Sequence, residues 1–208
     1  MFKKEDNILE VGSGGLGFVQ KLSREGYNIT GLELNEHSIV KAKKQKLKVY
    51  AEPIQAFAKT HEQAFDVVCS FQVLEHISDV QSFVKAQIEC LKPGGKLVIC
   101  VPNNDAFIKH SEGGVLNFPP HHMGRWRPSS LKALEKVFDL KLVTFAYEPL
   151  QSYHKEWYIK SMTTYLQKYK FMRGVAKVLS LSNLIRYYTK VNSANIKGHS
   201  ILAVYEKI

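Results

Sequence analysis

A glycine-rich turn near the start of the chain has the residue types needed to bind a nucleotide-like ligand. Gly12, Gly14 and Gly17 follow the spacing Gly-x-Gly-x-x-Gly, which lets a ligand approach the backbone amides. Glu33, about 20 residues further on, is placed to accept hydrogen bonds from both hydroxyls of a ribose. These features alone fit NAD and S-adenosylmethionine about equally.

Glu10, two residues before the first glycine, favours the second of these ligands. A carboxylate at this position would repel the pyrophosphate of NAD. S-adenosylmethionine instead carries an α-ammonium and a sulfonium, which a carboxylate attracts. The alternative is a solvated carboxylate at the end of a strand.

A second group of reactive side chains follows the fifth apolar run. His121 and His122 are candidates for a general base or a substrate ligand, because imidazole titrates near neutral pH, and His110 is a further candidate. Arg125 and Trp126 could bind an anionic group beside an apolar ring. The alternatives are histidines bonded within their own loop and a tryptophan packed in the core.

Strands alternating with helices must position these residues. The apolar periodicity predicts strands at 7–11, 27–34, 48–51, 65–71, 96–101, 140–147 and 199–205. Helices are predicted between them, including 35–46, 54–60, 78–91 with Ser78 as its cap, and 129–138 opened by Ser129 or Ser130. The alternation indicates an α/β fold with a doubly wound, mostly parallel seven-stranded sheet that binds its ligand at the carboxyl ends of the strands.

Two segments depart from this alternation within what we expect to be a single domain, 1–208. Residues 102–128 form a loop-rich stretch that should lie on the substrate side of the sheet. Residues 151–197 form a basic, aromatic-rich helical insertion before the last strand, with helical patterns broken near Arg173 and Ser180.

Four motifs in the correct order resemble class I S-adenosylmethionine-dependent methyltransferases, which have a Rossmann-like fold. Among them the chain is most similar to ubiquinone-biosynthesis O-methyltransferases of the small-molecule branch. The motifs occupy residues 9–17, 31–34, 65–76 and 91–97.

The resemblance implies a cofactor site built from the glycine turn and the ends of the strands. Glu33 would lie at the ribose, and Glu52 would lie near the adenine or, alternatively, be a plain surface glutamate. The residues assigned to the cofactor are Glu10, Gly12, Gly14, Gly17, Glu33, Leu34, Glu52, Phe71 and Gln72.

Glu75 and His76 follow the fourth strand. In the ubiquinone branch, an acidic residue three positions earlier joins this pair to hold a divalent metal. Gln72 occupies that position here, and hard cations prefer carboxylate oxygens, so we expect no metal. The pair then either fixes the following turn or takes part in catalysis through His76.

Composition excludes several classes of protein. The 208 residues are 45% hydrophobic, which is incompatible with a disordered or fibrous chain. The first residues form no apolar leader, no apolar run approaches the length of a membrane span, and the three cysteines match no metal-binding spacing. These features predict a cytoplasmic protein with reduced thiols.

The net charge of +10 is concentrated in the last quarter of the chain. Residues 151–208 contain ten Lys and Arg against two Glu, a net of +8. The insertion could be a helical cap over the substrate, or it could contact an anionic membrane or a lipid-linked substrate. Nucleic acid is less favoured because no RNA-binding motif is present.

The chain also departs from the family at its start. The first strand begins near residue 7, whereas the family places one or two helices before it. We expect the insertion or a second subunit to cover the cofactor, unless the sequence starts late. The sequence leaves open whether the protein forms a homo-oligomer.

The sequence therefore predicts S-adenosylmethionine-dependent methyl transfer, at oxygen, to a small-molecule or lipid-linked acceptor, with S-adenosylhomocysteine as product. The competing hypotheses are an NAD-dependent oxidoreductase of similar fold and a non-catalytic cofactor-binding protein. The acceptor, the oligomeric state and the histidine that acts as base are not determined.

Overall fold

One seven-stranded sheet organises the described part of the chain. The computed structural model describes residues 2–112, 117–171, 174 and 180–208. The strands are β1 (Asn7–Val11), β2 (Asn28–Leu32), β3 (Val49–Tyr50), β4 (Phe65–Phe71), β5 (Leu91–Pro102), β6 (Leu140–Pro149) and β7 (Lys197–Lys207). Their order is β3-β2-β1-β4-β5-β7-β6, and β7 runs antiparallel to both of its neighbours. The predicted doubly wound, mostly parallel sheet is confirmed.

Helices flank the sheet. The α-helices are α1 (Gly17–Arg24), α2 (Glu36–Lys44), α3 (Ile54–Phe57), α4 (Val80–Cys90), α5 (Pro128–Ala133), α6 (Lys155–Leu166) and α7 (Leu181–Asn192). Short 3-10 turns lie at Ala58–Thr60, Leu74–His76, Phe107–His110, Leu134–Lys136 and Ser152–His154. Among the described residues, no helix has the length and apolarity needed to cross a membrane.

The central strands are buried on both faces, as continuous apolar runs predict for parallel strands. On one face Leu9 and Val68 pack with α3 and α4, and on the other Ile8 and Val67 pack against Val19 of α1. The carboxyl edge of the sheet is thereby held rigid, and the candidate functional residues project from it.

Apolar periodicity predicted β1 and β4 to the residue, whereas helix caps were predicted less well. Asp79 rather than Ser78 caps α4, its carboxylate accepting a hydrogen bond from the Ser82 N–H at 3.1 Å. Both residue types are good caps, so the tertiary path of the chain decides between them. Helix α5 begins at Pro128, and the predicted cap Ser130 instead accepts the Arg127 N–H from within its first turn.

The insertion has a small core of its own. Tyr158 and Ile159 of α6 pack with Leu181 and Ile185 of α7 and with Phe107 of the loop after β5. Arg186 and Glu156 form an ion pair that also joins the two helices. The predicted helix break at Arg173 lies outside the described residues, as do residues 113–116, 172 and 175–179 of the two irregular segments.

Candidate active site

The glycine turn after β1 requires glycine at its first position. Gly12 has φ +77°, and a Cβ there would lie 2.6 Å from Cγ2 of Val73. Gly14 also has positive φ, but a Cβ there would meet nothing within 4 Å, so its backbone borders open space. Gly17 begins α1 and also borders open space.

Glu10 is a buried carboxylate beside this turn. Its side chain is 4% exposed, and Oε2 has no hydrogen-bond partner. Burial raises the pKa of Glu10 to about 7, although Ser13 and the Val19 backbone partly offset this. A buried carboxylate with one oxygen left without a partner fits a cationic ligand group, so the residues present suit the ammonium of S-adenosylmethionine.

Glu33 is already bonded to the turn. Its Oε2 accepts the Gly14 N–H at 2.5 Å, and its Oε1 accepts the N–H groups of Leu34 and Asn35 at 2.8 Å each. The Leu34 side chain is exposed beside it, and Glu52 lies half-buried in the bend after β3.

The end of β4 supplies two further residues predicted to bind the cofactor. Phe71 packs edge-on against Phe18, with ring centres 5.0 Å apart. Gln72 has φ +56°, a strained conformation for a residue with a side chain, and its Nε2 donates to Ser200 Oγ at 3.5 Å. Such strain is typical of functional sites.

A cavity of about 1080 Å³ lies against the carboxyl edge of the sheet. The sheet edge contributes Gln72, Glu75, His76 and His199, and the loop after β5 contributes Ile108, Lys109, Ser111, Glu112, Asn117, Phe118, His122 and Arg125. Helix α6 covers it with Trp157, Lys160, Ser161 and Thr164. The loop and the insertion thus both border this cavity.

The cavity brings together two of the three histidines predicted to be catalytic. The rings of His76 and His122 are 4.8 Å apart, and His76 Nδ1 donates to the His121 carbonyl at 2.6 Å. Burial, His76 and His121 lower the pKa of His122, so its neutral form is favoured. His121 does not line the cavity, and His110 stacks on Tyr165 with ring centres 3.7 Å apart.

Glu75 anchors the loop to the sheet. Its backbone carbonyl accepts the N–H groups of Met123 and Gly124 at 2.7 and 3.0 Å. Its carboxylate is 1% exposed, Oε2 has no partner, and burial raises its pKa.

Glu75, His76 and His122 each offer one ligand atom, and these atoms lie within 4.8 Å of one another. One carboxylate and two imidazoles differ from the oxygen-rich set that Mg²⁺ prefers, and Gln72 contributes no charge. The donor set therefore does not fit a hard cation, and the absence of a metal remains a prediction.

Arg125 and Trp126 are not brought to one subsite. Arg125 lines the cavity and lies 5.0 Å from the centre of the Phe118 ring, and its Nε donates to Asn104 Oδ1 at 3.2 Å. Trp126 packs against the main core and is not part of the cavity wall. The alternative of a packing tryptophan describes its position better.

The sequence analysis did not predict several of the residues that line the cavity. His199 reaches the site because β7 is antiparallel, so its start rather than its end lies at the carboxyl edge of the sheet. Trp157 Nε1 donates to Ser111 Oγ at 2.7 Å, which holds α6 over the cavity. The antiparallel last strand is the signal that could have predicted His199.

Comparisons with known proteins agree with this fold. A family model described as a methyltransferase domain matches residues 1–144. The chain therefore belongs to the class I S-adenosylmethionine-dependent methyltransferase family, whose cofactor is the one predicted.

Individual curated relatives are similar to this chain over only part of its length. A ubiquinone biosynthesis O-methyltransferase from Pectobacterium carotovorum is 32% identical over 105 residues, covering 48% of this chain and 44% of the relative. The chain thus matches less than half the length of this curated relative.

Solved structures share the fold at low sequence identity. A SAM-dependent methyltransferase from Archaeoglobus fulgidus has a TM-score of 0.62 and 18% identity, covering 96% of this chain and 85% of that one. Coclaurine N-methyltransferase bound to N-methylheliamine and SAH has a TM-score of 0.56 and 15% identity, covering 99% and 68%.

Proposed function

We propose that the protein transfers the methyl group of S-adenosylmethionine to an oxygen of a small-molecule or lipid-linked acceptor held in the cavity. The observation that carries the proposal is the position of the His122 imidazole in the wall of a cavity that lies at the same sheet edge as the glycine turn. The O-methyltransferase similarity of the curated relative supports oxygen as the acceptor atom.

The cofactor, when bound, supplies an electrophilic methyl group on a sulfonium. Glu10 would pair with its ammonium, and Gly12 and Gly14 would let it approach the backbone. Glu33 would accept its ribose hydroxyls, exchanging or sharing the bonds that it now makes with backbone N–H groups.

His122 would remove the proton of the acceptor hydroxyl. Its lowered pKa keeps the ring neutral near pH 7, as a general base requires. Ile108, Phe118 and Trp157 line part of the cavity with apolar surface, and positioning of the acceptor supplies much of the acceleration.

Methyl transfer from tritiated S-adenosylmethionine to a panel of phenols and lipid extracts tests this proposal. We expect His122→Gln to lower kcat by about a hundredfold or more, because a general base contributes on that scale. His121→Gln is the matched control, since His121 contributes its backbone carbonyl to the site, and it should retain turnover. Equal turnover in both variants would remove His122 from the proposed role.

The two competing hypotheses give different outcomes. A non-catalytic protein would bind S-adenosylhomocysteine but methylate no acceptor in any extract. An NAD-dependent oxidoreductase would bind NADH instead, which the buried Glu10 carboxylate disfavours.

We also propose that the insertion contacts an anionic membrane surface through α7. Leu181, Ile185 and Thr189 bury one side of this helix, and a second apolar set lies exposed on it: Leu184, Tyr187, Tyr188 and Val191. The +8 charge of residues 151–208 complements anionic lipid, and aromatic side chains suit the interface.

A further inference from the structure

The tautomer of His122 decides whether it can act as a base towards the cavity. A neutral imidazole carries one proton, and only the other nitrogen has a free lone pair. His122 Nδ1 lies 3.1 Å from Asn117 Oδ1. Because an amide oxygen only accepts hydrogen bonds, Nδ1 must carry the proton and Nε2 must carry the lone pair.

This assignment depends on which end of the Asn117 amide faces the histidine. The other end, Nδ2, donates to Asn104 Oδ1 at 2.9 Å. If the Asn104 oxygen is fixed at that point, only the amino group of Asn117 can face it, and the Asn117 oxygen must face His122.

Two neighbouring groups fix the orientation of the Asn104 side-chain amide, because one can only donate and the other can only accept a hydrogen bond. Its Oδ1 also accepts from the Nε of Arg125 at 3.2 Å, and a guanidinium has only donors. Its Nδ2 donates to the carbonyl of Pro102 at 3.3 Å, and a carbonyl only accepts. Asn104 is 1% exposed, so water offers little competition for these bonds.

We propose that Arg125, Asn104 and Asn117 form a positioning chain that holds His122 with its proton on Nδ1 and its lone pair on Nε2. The chain starts at the end of β5, where Pro102 belongs to the sheet, so the rigid sheet sets the orientation of a loop histidine. This inference rests on the proposed role of His122 as base. It gives Arg125 a positioning role in addition to its place in the cavity wall.

Nitrogen NMR of protein labelled with ¹⁵N-histidine tests the chain without any acceptor. Neutral histidine in water favours the proton on Nε2, so a proton on Nδ1 is a distinctive signature. We expect His122 to show this signature at pH 8, with its signals assigned by their loss in His122→Gln.

Asn117→Leu should return the proton to Nε2, because Nδ1 then has no acceptor. His121→Gln is the matched control, since its side chain takes no part in the positioning chain and the variant should keep the wild-type signature of His122. Unchanged affinity of Asn117→Leu for S-adenosylhomocysteine would show that it is folded. A wild-type proton on Nε2, or an unchanged spectrum in Asn117→Leu, would overturn the proposal.

Measurements of turnover distinguish a failure of the positioning chain from a failure of the proposed function. Asn117→Leu should lower kcat about tenfold to a hundredfold, with the KM for S-adenosylmethionine unchanged. If the NMR signatures follow the proposal but neither Asn117→Leu nor His122→Gln loses turnover, the chain stands and the role of His122 as base fails.

Discussion

At the scale of single residues, two glutamates at the carboxyl edge of the sheet each have one buried oxygen without a hydrogen-bond partner. Glu10 Oε2 and Glu75 Oε2 are both unpaired, and each of these glutamates has a raised pKa because burial disfavours its charge. A buried carboxylate oxygen without a partner is costly to folding, so the presence of two at one edge of the sheet supports the proposal of a ligand site there.

The proposed pairing of Glu10 with the ammonium of the cofactor predicts that cofactor binding depends on pH. Its pKa of about 7 means that it is increasingly protonated below neutrality and no longer attracts an ammonium. Calorimetry should show the affinity for S-adenosylhomocysteine falling roughly tenfold from pH 8 to pH 6. Glu10→Gln should bind more weakly at pH 8 and show no such dependence.

The thermal stability of the Glu10→Gln variant is the control for this prediction. A raised carboxyl pKa costs stability as the pH rises from the ordinary value of 4.5 to the raised value of about 7, because over this range the unfolded chain loses its proton more readily than the folded one. Glu10→Gln removes that cost, so its Tm at pH 8 should be no lower than that of the wild type. A pH-independent affinity in the wild type would remove Glu10 from the cofactor site.

The residues that could not be predicted from sequence are those joined only by the fold. Glu10, Glu33 and the glycines occur in a recognisable order, and the structure places Glu33 against Gly14. Asn104 and Asn117 have no periodicity or motif, and their link to His122 exists only because the loop folds back on itself.

At the scale of elements, strands were easier to predict than the ends of helices. Burial on both faces produces a continuous apolar run, which defined β4 to the residue, whereas the cap of α4 depended on which of two adjacent polar residues reached the helix. The start of β5 was missed because its first residues, including Pro93 and Gly94, look like a turn.

The glycine turn should tolerate no side chain at its first position. Gly12→Ala should lower the free energy of unfolding by about 2–4 kcal/mol, because it adds left-handed strain and an overlap with Val73. Thermal unfolding of Gly12→Ala and Gly15→Ala checks this, since a Cβ at Gly15 meets nothing within 4 Å. Adding Val73→Ala should recover part of the loss.

Equal stability of the Gly12 and Gly15 variants would contradict the close approach of the turn to Val73. A full recovery by Val73→Ala would instead show that overlap, rather than backbone strain, dominates.

At the scale of the whole molecule, most of the net positive charge lies in the last quarter of the chain. Residues 1–150 have a net charge of +2 and contain the glycine turn, His76 and His122, whereas residues 151–208 carry +8. Helix α6 covers the cavity and α7 packs on α6, so the basic insertion joins the site to the proposed membrane face.

The membrane proposal predicts binding that depends on both salt and α7. Vesicles containing phosphatidylglycerol should sediment the protein at low salt and release it at high salt, because screening weakens the attraction. Tyr187→Ser with Tyr188→Ser should lower the bound fraction about tenfold. Val143→Ser, at an exposed apolar position on β6, should not.

Binding unaffected by salt or by the tyrosine changes would contradict the membrane proposal. Concentration-dependent dimerisation lost in the same double variant would assign the exposed face of α7 to a second copy of the chain.

The most direct test of the central claim is calorimetry of the purified protein with S-adenosylhomocysteine and with NADH. The proposed function predicts that S-adenosylhomocysteine binds at one site, that Glu10→Gln weakens this binding, and that NADH gives no binding heat. Tight binding of NADH with none of S-adenosylhomocysteine would contradict it.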